Sequence, residues 1–166
     1  MIFATVGTQL PFDRMIAALD EWAGEQLDRR VFAQVGPGRY VPRHIEHRRF
    51  VAPAECRARM AAADAIVAHA GMGTILSALE MGKPLLVIPR RASLGEHRNE
   101  HQLATARRFA DTGQLLVAFD EHELAEQLDE LQRRGRPERI SPFASDQLIT
   151  ALRQFIDGDD GTPLAA

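Results

Sequence analysis

Short apolar runs alternating with amphipathic segments along a chain of 166 residues predict an α/β domain built on a doubly wound, mostly parallel sheet. Three observations carry this expectation. Largely apolar runs at Ile2–Val6, Val31–Val35, Asp64–Ala68 and Leu85–Ile88 have the length of strands. The segments between several of them repeat apolar residues at i, i+3, i+4 and i+7, the stripe of a helix lying on a sheet. Glycine turns stand where strands hand over to helices, at Gly7-Thr8-Gln9 and Gly71-Met72-Gly73-Thr74.

In chain order, Ile2–Val6 is the first strand. The helix after it has Phe12, Met15, Ile16, Leu19 and Trp22 on its apolar face, and Pro11 suits its first turn. Val31–Val35 is the second strand, ended by Gly36-Pro37-Gly38. Arg39–Arg49 is basic and reads either as a solvated loop or as a rim that attracts an anion. Arg49–Ala52 is expected as a short strand, and Pro53 as the opening of a helix through Met60. The central unit runs from Asp64 to Pro89: a strand, a glycine turn, a helix facing the sheet with Met72, Ile75, Leu76 and Leu79, a stop at Gly82 and Pro84, and a second strand. Beyond the loop Arg90–Gly95, a helix from near Glu96 is expected to carry Leu103, Ala106 and Ala110 inward. Gln114–Phe119 reads as the last strand. Asp120 with Glu123 forms an N-cap pair before a helix with Leu124, Leu128 and Leu131. Ser141-Pro142 begins a final helix with Leu148, Leu152, Phe155 and Ile156 on one side. Residues 1–157 make one domain in this reading, and 158–166 a flexible acidic tail.

A hydrophobic content of 45% and a charged content of 26% are those of an ordinary globular domain. A net charge of −3 gives no support to nucleic-acid binding. The lone Cys56 excludes an intrachain disulfide framework and reads as a helix residue. No run reaches the length of a membrane span and no basic n-region precedes an apolar h-region, so a cytoplasmic location is expected. Neither G-x-G-x-x-G nor G-x-x-x-x-G-K-[ST] occurs, which weakens a nicotinamide enzyme and a P-loop NTPase.

Ligands of such sheets bind beyond the carboxyl ends of the strands. Four loops fall there: Gly7–Gln9, Gly36–Gly38, Ala70–Thr74 and Arg90–Glu96. Glycine lets a ligand approach the backbone, and free N–H groups at helix starts favour an anion, so the loops together point to phosphate. Arg90 or Arg91 is expected to add a charged donor to phosphate or to a sugar carboxylate. His69, between a strand and the glycine loop, reads either as a donor to the ligand or as a ring bonded to a loop carbonyl.

The segments VGTQLPFDRMI, HAGMGTILSALEMGKPLLVIPRR and EHRNEHQLATA, in this order, resemble the nucleotide-sugar half of MurG-type, family-28 glycosyltransferases. The resemblance covers roughly residues 1 to 133 and is closest to the small single-domain branch. That branch includes the PssE-like subunits of exopolysaccharide synthesis and the catalytic subunit of the eukaryotic dolichol-linked N-acetylglucosamine transferase. It implies a Rossmann-like domain, the donor half of a GT-B glycosyltransferase, and an inverting transfer of glucuronic acid or N-acetylglucosamine from a UDP-sugar. No metal and no cofactor are implied. The donor site would fall on Gly7, Thr8 and Gln9 for the pyrophosphate, Gln34 and Gly36 at a strand end, Phe50 and Val51 at the uracil edge, His69, Gly71, Met72, Gly73 and Thr74 in the second glycine loop, and Asn99, Glu100, His101 and Gln102 at the sugar. Ser77 stands where the larger relatives hold the ribose with a glutamate. The acceptor of such enzymes binds a second domain, for which this chain has no room. The resemblance therefore implies a membrane-anchored acceptor-binding subunit, a lipid-linked saccharide acceptor and a peripheral position at the inner membrane face. No general base is assigned; His69 is the catalytic candidate.

Two rival readings come from the residues. His97-Arg98-Asn99-Glu100-His101 matches H-x-x-E-H, a zinc-peptidase pattern that needs both histidines on one helix face. The other is a non-catalytic subunit that binds a nucleotide sugar or only its partner, a reading kept open by Ser77.

Overall fold

A computed structural model of the chain describes residues 1–26 and 28–156. Its six strands are β1 (Ile2–Thr5), β2 (Val31–Gln34), β3 (Glu46–Arg48), β4 (Ala65–His69), β5 (Leu85–Ile88) and β6 (Leu116–Val117). They form one sheet in the order β3-β2-β1-β4-β5-β6, and every pairing is parallel. In register, Ile2 lies opposite Val31 on one side and Ala65 on the other. The helices are α1 (Asp13–Glu25), α2 (Pro53–Ala62), α3 (Met72–Glu80), α4 (His101–Thr112), α5 (Leu124–Arg133) and α6 (Asp146–Ile156), with 3-10 turns at Ala92–Leu94 and Glu121–Glu123.

Strand alternation divides the core into two layers. Ile2, Ala4, Val67, Leu86 and Ile88 face α1 and α5, whose Met15, Ile16, Leu19, Leu124 and Leu128 pack onto them. Phe3, Ile66, Ala68, Leu85 and Val87 face α2, α3 and α4 through Met60, Ile75, Leu79 and Ala106. Both faces of the central strands are thus covered, which is why those strands are apolar throughout. Each fully buried Leu, Ile or Phe contributes about 1.5–3 kcal/mol relative to exposure. The domain is an α/β/α sandwich, as the alternation of elements predicts.

Several boundaries differ from expectation, each for a physical reason. The third strand is Glu46–Arg48, not Arg49–Ala52, so it lies inside the basic stretch. Asp20 sets it there: this buried carboxylate accepts from the Arg43 and His44 N–H groups at 2.9 and 2.7 Å and from Tyr40 Oη at 2.9 Å, fixing the approach to the strand. Burial alone would raise the Asp20 pKa, but these donors win and hold it below the ordinary carboxylate value. Pro11 lies outside α1, which begins at Asp13 after Phe12 as N-cap. On α3 the buried positions are Ile75, Ala78 and Leu79, while Met72 and Leu76 are exposed, because small Ala78 forms the close contact with the sheet. The fourth helix starts at His101, not near Glu96. Its inward residues are Gln102 and Ala106; Leu103 is half-buried and Ala110 exposed. Glu96 is instead drawn to α1, where Arg14 donates to both its oxygens at 2.8 and 2.9 Å and also to Glu121 at 2.8 Å. Strand β6 keeps only two paired residues of the expected Gln114–Phe119. Asp120 caps the 3-10 turn by accepting from His122 N–H, and Glu123 accepts from Phe119 N–H, so that pair does cap. Helix α6 begins at Asp146, after Ser141-Pro142, and buries none of its residues. Leu148 and Leu152 are each 50% exposed, Ile156 76% and Phe155 84%, so this apolar face is not packed on the domain. Among the described residues no helix is long and apolar enough to cross a membrane. The expected tail at 158–166 lies outside the described residues.

Candidate functional site

The order β3-β2-β1-β4-β5-β6 places a topological switch between β1 and β4. Beyond the carboxyl ends of these strands lies a cleft of about 330 Å³. Its walls are the turn after β1 (Gly7, Thr8, Gln9, Leu10), the turn after β4 (His69, Gly71, Gly73, Thr74) and the segment between β5 and α4 (Arg90, His97, His101, Gln102). No Asp or Glu lines it. A more apolar groove of about 570 Å³ adjoins it, sharing Gly7, Thr8, Gly73 and Thr74 and continuing along Val51, Met60 and Met81.

Two glycines are required by the ring between them. Gly7 has φ +76°, and a Cβ there would sit 2.8 Å from His69 Nε2. A Cβ on Gly71 would sit 2.1 Å from His69 Cε1. The glycine turns therefore form a slot for the imidazole. They also leave backbone donors open. The N–H groups of Thr8, Gln9, Leu10, Met72 and Gly73 have no acceptor among the described residues, whereas Gly71 N–H bonds to His69 O and Thr74 N–H to Gly71 O. Met72 and Gly73 open α3, where such orphan donors are expected.

The polar side chains under the cleft form a connected scaffold. Gln34 is buried, donates to Gly7 O at 3.1 Å and accepts from Val51 N–H at 3.0 Å, so it ties the first glycine turn to the groove. Arg90 is 3% exposed, and its two terminal nitrogens donate to the carbonyls of Val6 (2.6 Å), Pro11 (2.6 Å), Leu10 (2.7 Å) and Glu96 (3.4 Å). Burial pulls its pKa down to about 10, so it stays cationic near neutrality. Arg90 backbone N–H donates to Gln102 Oε1 at 3.2 Å, and Gln102 Nε2 stands 3.3 Å from His69 Nδ1. Burial and the Arg90 charge depress the His69 pKa to about 4, so the ring is neutral at working pH.

Of the residues expected at the site, Gly7, Thr8, Gln9, His69, Gly71, Gly73, Thr74, Arg90, His101 and Gln102 meet at the cleft, and Gln34, Val51 and Ser77 at the groove. The others have different surroundings. Gly36, at φ +65°, is needed because a Cβ there would meet Val6 Cγ2 at 2.8 Å. Phe50 and Met72 are exposed side chains. Asn99 bonds to His101, and Glu100 accepts from Ser93 N–H at 3.1 Å. Ser77 Oγ donates to Gly73 O at 2.8 Å. Arg90 is a clamp on the first turn and not a free phosphate donor, since its terminal hydrogens are spent on carbonyls. Arg91 turns away to Phe119 O, at 2.8 Å.

His97 lines the cleft without having been expected there; only the H-x-x-E-H pattern drew attention to it. Its ring meets His101 edge to face at 4.4 Å, and its buried Nδ1 has no partner. The zinc-peptidase reading fails on geometry. His97 precedes α4, so the two histidines do not share a helix face, and among the described residues no group of three or more His, Cys, Asp or Glu could hold a metal ion.

Comparison with known proteins agrees with this architecture. Residues 1–146 match the model of the glycosyltransferase family 28 C-terminal domain. The human UDP-N-acetylglucosamine transferase subunit ALG13 is 31% identical over 126 residues, which cover 69% of this chain and 10% of that protein. The solution structure of ALG13 superposes with a TM-score of 0.57 at 18% identity, covering 91% of this chain and 93% of that one. The glycosyltransferase of kitacinnamycin superposes with a TM-score of 0.58 at 22% identity over 81% of this chain and 35% of its own. The chain thus spans a tenth of its human relative and about a third of that larger enzyme. With the family match spanning almost the entire domain, and its sheet being that of a GT-B half, this chain belongs to the glycosyltransferase family 28 C-terminal domains.

Proposed function

We propose that this chain is the donor-binding and catalytic subunit of an inverting UDP-sugar glycosyltransferase, acting with a membrane-anchored acceptor-binding subunit on a lipid-linked saccharide. The observation that carries this reading is the set of unpaired backbone N–H groups in the two glycine turns that wall a cleft free of carboxylates at the β1/β4 switch. The diphosphate fits these donors. The apolar groove along Val51, Met60 and Met81 suits a planar base.

In the reaction, an acceptor hydroxyl oxygen attacks the anomeric carbon and the bond from that carbon to the diphosphate oxygen breaks. The departing oxygen keeps the electron pair, and UDP leaves from the opposite face. Its negative charge develops beside fixed N–H dipoles, the start of α3 and the buried Arg90 cation, which stabilise it without reorganising. A metal is not needed for this role. The acceptor proton passes to a base that this reading assigns to the partner. The donor sugar in this reading is glucuronic acid or N-acetylglucosamine. The exposed apolar face of α6 offers the partner a surface, and through the partner the chain would sit peripherally at the cytoplasmic membrane face.

Calorimetric titration with UDP, UDP-glucuronic acid and UDP-N-acetylglucosamine, with and without chelator, tests the proposal. Binding that survives chelation supports it; no binding, either alone or in the co-expressed complex, refutes it. A second reading, a non-catalytic nucleotide-sugar subunit, is favoured by Ser77, whose hydroxyl hydrogen is committed to Gly73 O. A weaker ribose contact would then need the partner. Transfer by the reconstituted pair that is lost on Gly71→Ala, with assembly intact, rules this reading out.

A further inference from the structure

We propose that Gln102 is a positioning residue that holds His69 as its Nε2–H tautomer, so that the ring presents a fixed, neutral N–H donor to the ligand's diphosphate. The diphosphate part rests on the donor-site reading above.

The direction of the Gln102 amide is set by chemistry. A backbone N–H can only donate, so the atom facing Arg90 N at 3.2 Å must be the amide oxygen. The amide nitrogen then faces His69 Nδ1 at 3.3 Å, and an NH₂ group can only donate to it. Nδ1 must therefore be the unprotonated nitrogen of the neutral ring, which leaves the proton on Nε2. That nitrogen lies on the Gly7 side of the slot, and the one hydrogen bond of the ring among the described residues is at Nδ1. Gln102 is 3% exposed and each end of its amide makes a hydrogen bond within the domain, which fixes its orientation. The charged and titratable groups around the ring are Arg90, His97 and His101; all disfavour a second proton, in line with a pKa of about 4. The order of control runs from the β5 end through Arg90 and Gln102 to His69.

Long-range ¹H–¹⁵N spectroscopy of the histidine rings tests the tautomer without ligand. His69 Nδ1 should be pyridine-like and Nε2 pyrrole-like throughout the neutral range. The second arm uses UDP-N-acetylglucosamine, whose diphosphate diester does not titrate there. Wild-type affinity should be flat with pH. Gln102→Glu keeps the shape but accepts from Nδ1–H, so its His69 deprotonates to the other tautomer and turns a lone pair toward the phosphate. Its affinity should fall by about tenfold as pH rises, the worth of one charge-assisted hydrogen bond. Gln102→Met is the second variant and should give mixed tautomers. A protonated Nδ1 in the wild type, a flat Gln102→Glu profile or an unchanged Gln102→Met ring spectrum would each overturn the proposal. The expected tautomer with no binding of the UDP-sugar would instead overturn the donor reading, and with it the role of the Nε2–H toward diphosphate.

Discussion

Replacing Arg90 by lysine separates its two possible roles. The substitution keeps the positive charge and most of the length, but it replaces a planar fork with a single ammonium. In the structure the fork reaches three carbonyls at 2.6–2.7 Å, those of Val6, Leu10 and Pro11, from a site 3% exposed. A hydrogen bond from a charged group contributes about 1.5–3 kcal/mol, and a carbonyl left buried without a partner costs about 1–3 kcal/mol. A lysine nitrogen recovers part of the set, so a net loss of about 2–4 kcal/mol is expected, a large part of a total stability of about 5–15 kcal/mol. With a urea slope of about 1–3 kcal/mol per molar, the unfolding midpoint should drop by about 1–2 M. Hydrogen exchange at Val6 and Gly7, whose N–H groups bond to Gln34 O and Thr5 Oγ1, should quicken together, because the loop loses its anchor. UDP affinity should weaken less than stability does under these conditions. An unchanged midpoint with UDP binding reduced tenfold or more would refute the clamp and make Arg90 a direct phosphate ligand.

Other expected outcomes follow from the same network. His69 has its folded pKa depressed from 6.5 to about 4, so the unfolded chain binds more protons between those values, and stability should be full above pH 6.5 and fall toward pH 4. Its share is about 3 kcal/mol, measurable as a midpoint difference between the wild type and a neutral His69→Gln variant across that window. Gly7→Ala forces a side chain into φ +76° against His69 Nε2; thermal unfolding should report a loss of about 1–3 kcal/mol, and UDP titration a loss of at least about tenfold. Asp20→Asn leaves donors from Tyr40, Arg43 and His44 poorly matched and should cost about 1–3 kcal/mol, with exchange rising across residues 40–45. Leu152→Ser with Phe155→Ser should change stability by no more than about 0.5 kcal/mol, since both side chains are exposed, yet abolish co-purification of the proposed partner.

The sequence made the centre of the fold legible and the loops much less so. The unit β4–α3–β5 was readable to within a residue because its signals are local: apolar runs, a glycine turn and a Gly82 stop whose φ of +62° only glycine adopts freely. The late start of α4 was not readable, since it depends on Glu96 finding Arg14, 82 residues away in the chain. Strand β3 was misplaced because it is a three-residue edge strand with exposed ends, positioned by contacts of Asp20 and not by its own pattern. At the site, the glycines were legible because turns and close approach leave a residue-type signature. Arg90 was not, since a buried clamp and a phosphate donor use the same side chain in the same motif and differ only in which carbonyls face it.

This difference has a consequence for how the domain divides its chemistry. The charged side chains beneath the cleft are occupied in holding it: Arg90 on the first turn, and Arg14 with Glu96 and Glu121 across the loop before α4. Among the groups left at the cleft are backbone N–H donors and the neutral ring of His69. Such groups suit a ligand that brings its own charge, because they stabilise an anion without neutralising it or competing for protons. His69 is poorly suited to taking a proton from an acceptor alcohol, since a ring with a pKa of about 4 is too weak a base near neutrality. In the proposed reaction, a site of this composition holds the donor and stabilises the leaving diphosphate, and proton removal falls to the surface that brings the acceptor. The unpacked apolar face of α6 is where such a surface has most to gain by covering this domain.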